Sequence, residues 1–284
     1  MTEHVLVWHP KVPGEVPAPG GDDQLRLIGM PTGLVRPARQ ALAADQLTPA
    51  ARAVLDEALA ALHRHAEAPG APTRIDFDAL DETDKATVAD ILGEGDVWAK
   101  VGSADTFFRV VESVLTGVWR LEASAADGTT IEWIEIGPAP QPILTAAETL
   151  PRATIEVPKQ VPHGAMNVLP LLAELQERSA AYRPGSENHV INFTLLPITE
   201  VDAQVLTTTV GQIPLVIRSG GYGSSRVFGT GLRYVWAVQY VNSMGNVILD
   251  TLEIGGVPVA VLAAAEDFED SAERLAEIMQ AFTS

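Results

Sequence analysis

The sequence predicts an α+β protein of two similar tandem lobes, each a helix, a strand and a second helix followed by an antiparallel sheet. The main observation is an internal repeat. Glu135-Ile136-Gly137 recurs 118 residues later as Glu253-Ile254-Gly255, and Val118-Trp119 recurs 117 residues later as Val235-Trp236. The matches keep their order along the chain, and small loop insertions account for a separation that drifts by a residue or two. An internal duplication therefore predicts two lobes with one fold.

Caps and turns mark the elements of the first lobe. Thr48-Pro49 supplies an N-cap and a first-turn proline for a helix that ends near Ala68-Pro69-Gly70. Asp81 opens a second helix, which Gly93 ends. Asp127-Gly128 predicts a hairpin turn between the last two strands. Alternating apolar residues predict strands at 74–79, 97–101, 106–119 and 131–136.

The second lobe repeats this order and adds a terminal helix. Thr199 opens its second helix. The other expected elements are a helix at 170–178, strands at 189–196, 213–218, 226–242 (with room for an interruption) and 247–254, and an amphipathic helix at 264–282. The predicted domains are a flexible arm at 1–30 that Trp8 pins, a first lobe at 31–155, and a second lobe at 156–284 that includes the terminal helix.

Composition excludes several classes of function. The 284 residues are 46% hydrophobic, which suits a packed core, and the formal net charge of -18 disfavours nucleic-acid or anionic-membrane binding. The chain has no cysteine, so disulfides, thiolate metal sites and cysteine nucleophiles are excluded. No secretory signal and no apolar run of about 20 residues occurs. A cytoplasmic protein without membrane insertion is expected.

The motifs that carry chemistry in other proteins are incomplete in this chain. Gly220–Ser225 is rich in glycine but lacks the lysine of a phosphate-binding loop and precedes a strand, so a turn between strands is favoured. No serine lies on a nucleophile elbow, and His63 and His65 point in different directions on a helix. We therefore predict no catalytic, metal or cofactor residues, and a binding protein rather than an enzyme.

Ordered motifs give the chain a family resemblance, strongest in its second half. They are Leu92–Val97, Glu112–Arg120 (ES…GVWR), Asn167–Leu172, Ile191–Pro197, Gly221–Arg226, Val235–Ser243, Leu249–Pro258 and Ala264–Leu275. In these residues the chain resembles the HupH/HyaF family of hydrogenase expression/formation proteins. The chain has Ser225 where the family pattern has cysteine. We expect that cysteine to be a small buried residue that serine replaces.

The resemblance implies a maturation factor for an uptake nickel–iron hydrogenase. Such proteins are thought to act as chaperones on the iron–sulfur small-subunit precursor before export, and other hydrogenase maturation proteins are further possible partners. The precursor carries a basic twin-arginine leader, which an acidic protein suits electrostatically. Two alternatives remain open. One is a scaffold that assists the loading or protection of iron–sulfur clusters, and the other is a small-ligand enzyme that uses the glycine-rich loop at 220–226.

Seven residues in these motifs are the candidates for partner contacts. Tryptophan is over-represented at binding hot spots, although Trp119 and Trp236 also suit core packing. The candidate partner-binding residues are Trp119, Arg120, Tyr222, Arg226, Trp236, Gln239 and Asn242.

Overall fold

A computed structural model describes Trp8 and residues 47–68, 70–220 and 224–282. Its helices are α1 (Pro49–Glu67), α2 (Glu82–Leu92), α3 (Gln141–Thr149), α4 (Val168–Ala181), α5 (Glu200–Val210) and α6 (Ala265–Ala281), with a 3-10 turn at Val259–Val261. Its strands are β1 (Thr73–Asp76), β2 (Val97–Gly102), β3 (Phe107–Glu112), β4 (Val118–Ser124), β5 (Thr130–Ile136), β6 (His189–Asn192), β7 (Gln212–Ser219), β8 (Ser225–Thr230), β9 (Val235–Val241) and β10 (Val247–Ile254). The α+β class with antiparallel pairing is confirmed.

Side-chain caps begin the helices where the sequence predicts them. The Thr48 hydroxyl accepts a hydrogen bond from the Ala51 amide at 3.1 Å at the start of α1. In α5, Thr199 and Asp202 form a reciprocal capping box. The short helix α3 was not predicted. None of the helices within the described residues combines the length and the apolar character that crossing a bilayer requires.

The segment predicted as one strand at 106–119 belongs to two strands, and the predicted strand at 189–196 ends early. The segment 106–119 contains β3 and only the first two residues of β4, because the Ser113 hydroxyl donates to the Leu115 carbonyl and Gly117 takes a φ of 82° in a turn between the two strands. The interruption expected within 226–242 is confirmed, since a turn at 231–234 separates β8 from β9. The predicted strand 189–196 ends at Asn192, whose side chain accepts a hydrogen bond from the Thr194 amide and starts a turn.

The described residues divide into two compact units. The N-unit contains 47–68, 70–98, 104–141 and 262–282, and the C-unit contains Trp8, 99–103, 142–220 and 224–261. In the N-unit the antiparallel strand order is β1-β5-β4-β3, and in the C-unit it is β7-β8-β9-β10-β6. The residues of β2 are divided between the units.

The N-unit core lies between its sheet and the helices α1, α2 and α6. Phe268, Ala272, Leu275 and Met279 of α6 belong to the same apolar cluster as the buried face of α1. The predicted boundaries, 31–155 and 156–284, differ from the units here, since α6 lies in the N-unit and residues 142–155 lie in the C-unit. The apolar stripe of α6 was recognisable in sequence. Which unit this stripe packs against is decided by contacts with residues that are distant in sequence.

The C-unit core lies between its sheet and the helices α4 and α5, and Trp8 belongs to it. Trp8 is buried, and its carbonyl accepts a hydrogen bond from the Gln239 side-chain amide at 2.8 Å. Trp8 is thus packed in the C-unit core, and that it pins an N-terminal arm stays a prediction. The rest of the predicted arm at 1–30 lies outside the described residues.

Corresponding hydrogen bonds recur in the two repeats. The Thr230 hydroxyl donates to the Leu232 carbonyl at 3.1 Å, as the Ser113 hydroxyl does to Leu115 at 2.8 Å. The Gly255 amide donates to the Tyr234 carbonyl, as the Gly137 amide does to Gly117. The repeat seen in sequence is therefore also a repeat of turn geometry.

Candidate functional site

A pocket of about 300 Å³ lies in the C-unit, between α3, the end of α4 and the turn that joins β8 to β9. Three strands and the segment after β10 complete its wall. The lining residues are Leu144, Ala147, Glu148, Pro151, Tyr182, Pro184, Ile213, Gly229, Thr230, Leu232, Tyr234, Val235, Trp236, Gly255, Gly256 and Val257.

The β8–β9 turn that lines the pocket is stabilised by hydrogen bonds of a buried hydroxyl group. The Thr230 hydroxyl lies 3.1 Å from the Leu232 carbonyl and 2.8 Å from the Val235 carbonyl. Tyr234 takes a φ of 61°, a left-handed conformation that few residues other than glycine adopt. The turn therefore presents the Tyr234 ring from a fixed backbone.

Aromatic rings form one side of this pocket. The rings of Tyr182 and Tyr234 lie 4.8 Å apart between centroids, tilted by 52°. Trp236 also lines the pocket, although only 4% of its surface is exposed. A Cβ added to Gly256 would come within 3.1 Å of the Tyr182 hydroxyl oxygen, so a glycine permits this close approach. These rings make the lining mainly apolar.

The polar groups of the lining are few. Glu148 is exposed and is the one carboxylate among the described lining residues. Beside the pocket, burial raises the pKa of Glu253, while a hydrogen bond from Asn188 partly offsets this effect. Asn188 also donates to the Gly256 carbonyl at 3.3 Å. This composition suits the binding of an apolar group better than acid–base chemistry.

Of the candidate contact residues, Trp236 lines the pocket. Its counterpart Trp119 is 1% exposed, and its indole donates to the Gly137 carbonyl at 2.8 Å. Arg120 is nearly buried and lies 3.9 Å from the Glu94 carboxylate and 3.5 Å from the Gly93 carbonyl. Both side chains therefore have contacts within the N-unit.

Three further candidates, Arg226, Gln239 and Asn242, lie in the C-unit, outside the pocket lining. Gln239 is buried on Trp8, as described above. Asn242 organises the β9–β10 hairpin, because its side-chain oxygen accepts from the Met244 and Asn246 amides at 3.0 and 2.9 Å. Arg226 is half-buried on β8, directly opposite Arg218 of β7. Whether these side chains contact a partner stays a prediction.

The glycine-rich loop joins two paired strands. Ser219 of β7 pairs with Ser225 of β8, so the prediction of a turn between strands is confirmed for the described residues on either side. Tyr222 lies outside the described residues. Arg226 does not belong to the pocket lining.

The sequence prediction missed Tyr182, Tyr234 and the Gly255-Gly256 pair. One signal for Tyr234 was present, because the repeat aligns it with Gly117 in a turn that requires a positive φ. No local pattern indicated Tyr182, since it follows α4 and meets the turn only through packing.

Sequence comparison relates most of the chain to one family. The family described as HupH hydrogenase expression protein, C-terminal conserved region, matches residues 48–160 and again 165–282. Two matches in one chain agree with the internal duplication.

Curated relatives match over most of their length. The hydrogenase expression/formation protein HupH of Rhizobium leguminosarum bv. viciae is 39% identical over 219 residues, 76% of each chain. The hydrogenase expression/formation protein HoxQ of Cupriavidus necator is 36% identical over 266 residues, 91% of this chain and 92% of the relative. The hydrogenase-1 operon protein HyaF of Escherichia coli K12 is 33% identical over 247 residues, 86% and 85% of the two chains.

A solved structure is also similar to part of the chain. The hydrogenase expression protein HupH from Thiobacillus denitrificans is 26% identical, with a TM-score of 0.37, and the match covers 40% of this chain and 95% of that protein.

Proposed function

Because the chain belongs to the family of HupH hydrogenase expression proteins, we propose that it is a maturation factor for an uptake nickel–iron hydrogenase and acts as a non-catalytic chaperone. The client that we propose is the precursor of the iron–sulfur small subunit, bound before export. The names of relatives aligned over 76% and 92% of their own length support the maturation role.

The aromatic-walled pocket around Trp236 is the observation that carries the chaperone proposal. Its lining is mainly apolar, and Tyr182, Tyr234 and Trp236 provide ring surfaces of the kind that dominate protein interfaces. A chaperone must hold apolar side chains that its client has not yet buried. In this pocket such a side chain can be removed from water. Binding of this kind requires no chemical reaction.

The charge of the chain suits a basic segment of the client. The formal net charge of -18 creates a negative field that attracts a twin-arginine leader. Such attraction raises the rate of encounter more than the final affinity. It also weakens as salt shortens the Debye length. The leader is therefore proposed to guide the precursor to the protein, while apolar contacts hold it.

The proposal is tested by calorimetry of the purified full chain with the small-subunit precursor, with and without its leader, at two salt concentrations. We expect saturable binding that weakens when the leader is removed and when salt is raised. Equal, salt-independent binding of both forms would remove the leader from the proposal. Absence of binding to either form would contradict the choice of client.

The two alternative functions find less support. Thiolate ligation of a cluster is not available to a chain without cysteine, so a cluster-loading scaffold is not proposed. An enzyme that uses the glycine-rich loop has no described observation in its favour, because Arg226 does not line the described pocket.

A further inference from the structure

Each repeat ends in a segment that lies in the unit formed mainly by the other repeat. The family model matches 48–160 and 165–282, which places the boundary between the repeats at 161–164. Residues 142–155 nevertheless belong to the C-unit, and residues 262–282 belong to the N-unit. Both segments follow the last strand of their repeat, β5 or β10, and contain residues of its last helix, α3 or α6. The two repeats have therefore exchanged equivalent segments.

The segment 262–282 supplies part of the N-unit core. Phe268, Leu275 and Met279 of α6 are buried, and they belong to one apolar cluster with the inner faces of α1 and α2. Without α6 these faces would be open to water, and the burial of apolar surface is the main favourable contribution to folding. The first repeat therefore cannot complete the N-unit core by itself.

The turn between β3 and β4 binds the exchanged segment through polar groups. The Ser271 hydroxyl donates to the Thr116 carbonyl at 2.9 Å, and the Arg274 side chain donates to the Val114 carbonyl at 3.2 Å. Backbone carbonyls need a donor wherever a strand pairing ends. At this turn the donors are provided by a helix of the other repeat.

The turn between β8 and β9 receives the exchanged segment of the first repeat. The Arg152 amide donates to the Gly231 carbonyl at 2.8 Å, and the Arg152 carbonyl accepts from the Arg233 amide at 2.9 Å. The Arg152 side chain also donates to the Thr209 and Val210 carbonyls, where the dipole of α5 favours a cation. Because this turn corresponds to the β3–β4 turn, equivalent surfaces of the two units accept the exchanged segments.

Buried contacts also join the segment 142–155 to the C-unit. Ile155 belongs to the C-unit core cluster, and its amide donates to the side-chain oxygen of Gln176 in α4 at 3.2 Å. Leu144 and Ala147 of α3 line the pocket together with residues of the second repeat. The C-unit, like the N-unit, is thus completed by a segment of the other repeat.

We infer that the central turn of each unit, with the apolar surface beside it, is a docking surface for the last segment of a second repeat, and that this segment stays bound when the peptide between the repeats is cut. Reciprocal exchange of an identical element is how two separate chains form a closed dimer. Here both repeats lie in one chain, so the peptide at 161–164 raises their effective concentration without making the exchanged contacts. The inference does not depend on the proposed function.

Cleavage of the folded full chain tests the inference. Lys159 and Gln160 are exposed in the segment that joins the repeats, and a protease site inserted between them allows a single cut. We expect the two fragments to elute together in gel filtration in native buffer and to separate only in urea. Fragments that separate in native buffer would overturn the inference.

A cross-link shows whether α6 binds the first fragment. The chain has no cysteine, so Val114→Cys and Arg274→Cys, both at exposed positions, introduce one thiol on each fragment. A short bismaleimide, with a reach similar to that of an arginine side chain, should join these thiols in the cut protein. The control pairs Val114→Cys with Arg178→Cys, which lies on α4 in the C-unit and should give no product. Absence of the product with Arg274→Cys, or an equal yield from the control, would contradict the exchange.

Two arginines provide a matched measurement of fragment binding. Arg152 donates to carbonyls at the end of α5, on the other fragment, whereas Arg183 donates to carbonyls of its own fragment, those of Ala180, Ala181 and Tyr182. In the cut protein, Arg152→Ala should raise the dissociation constant of the fragments about tenfold, measured by ultracentrifugation over a dilution series. Arg183→Ala should leave this constant unchanged. Equal effects of the two variants would overturn the inference, because the exchanged segment would then not hold the fragments together.

Discussion

Gly117 and Tyr234 adopt the same left-handed backbone conformation at corresponding positions of the two repeats, with φ values of 82° and 61°. Each carbonyl accepts a hydrogen bond from the glycine after the last strand of its repeat, Gly137 or Gly255. In the N-unit the glycine leaves room for Phe268. In the C-unit the tyrosine ring packs on Tyr182 and lines the pocket. One turn geometry thus supports a closed core in one unit and an open pocket in the other.

The backbone strain at Tyr234 is measurable with a pair of variants. Tyr234→Ala and Tyr234→Gly both remove the ring, but only glycine adopts a positive φ without cost. We expect Y234G to be more stable than Y234A by about 1 kcal/mol in urea unfolding, which reverses the usual order of the two residues. Gly117→Ala should destabilise by more than this, because its Cβ also meets Phe268. Equal stability of Y234A and Y234G would mean that the turn is not held left-handed.

Variants at Ser225 test the effect of having serine where the family pattern has cysteine. Its side chain is buried, and its hydroxyl oxygen has no hydrogen-bond partner among the described residues. A buried hydroxyl without a partner is costly, whereas cysteine behaves as a small apolar residue. We expect Ser225→Cys to raise the free energy of unfolding by about 1 kcal/mol. Ser225→Ala is the control for loss of the hydroxyl without a sulfur to fill the space. A cysteine variant that is less stable than wild type would indicate that the Ser225 hydroxyl has a hydrogen-bond partner in solution.

Asp202 joins the starts of two helices of the C-unit. One carboxylate oxygen accepts from the Met166, Asn167 and Val168 amides at 2.8 to 3.1 Å, and the other accepts from the Thr199 amide and hydroxyl. Burial by itself would raise the pKa of Asp202, but these hydrogen bonds outweigh it and hold the pKa below its usual value. The carboxylate therefore stabilises the fold at neutral pH.

Asp202→Asn should cost about 3 kcal/mol at pH 7, because its amide group would face donors and leave them unpaired. Since the folded pKa is lowered, the contribution of Asp202 is present above the unfolded pKa and is lost as the pH falls through the folded pKa. The difference between wild type and D202N should therefore shrink in acid. Asp267→Asn, at the exposed start of α6, is the control and should cost about 1 kcal/mol. A constant difference at every pH would contradict the assignment.

Glu112 has the opposite dependence on pH. Burial raises its pKa to about 7, although the Gly117 amide donates to it at 3.2 Å and partly offsets this, and Asp267 and Asp96 raise it further. A raised carboxyl pKa means that the stability of the neutral form is complete below about pH 4.5 and is lost as the pH rises through about 7. The full loss amounts to about 3 kcal/mol.

Glu112→Gln keeps an acceptor but cannot ionise. We expect E112Q to match wild type at low pH and to exceed its stability at pH 8, in urea midpoints measured across this range. Glu122 is a suitable contrast, because it forms an ion pair with Arg109 at 3.0 Å and Glu122→Gln should destabilise at pH 8. Parallel pH profiles for E112Q and wild type would show that Glu112 does not titrate in this window.

The sequence predicted single residues of the site but not which distant residues come together to form it. The prediction that Trp236 contacts a partner stays open, and this residue does line the pocket. Gln239 and Asn242 belong to the same motif, yet one holds Trp8 and the other shapes a hairpin. A motif indicates that its residues are important, but it does not indicate whether they are needed for folding or for binding. Tyr182 was missed because its partner Tyr234 lies 52 residues away in the chain.

The sequence by itself determined the duplication, most helices and strands, and the family. These features depend on signals that span a few residues, such as the Thr48 and Thr199 caps, the apolar stripe of α6 and the ordered motifs. Only the tertiary structure decided that α6 completes the N-unit and that residues 142–155 lie in the C-unit. It also decided that the ring of Phe268 lies over Gly117 in one turn, while Tyr234 of the other turn packs on Tyr182. An apolar helix face lowers the free energy of the folded protein when it is buried against a complementary surface. Here that surface is distant in sequence, so the residues of the helix do not identify it.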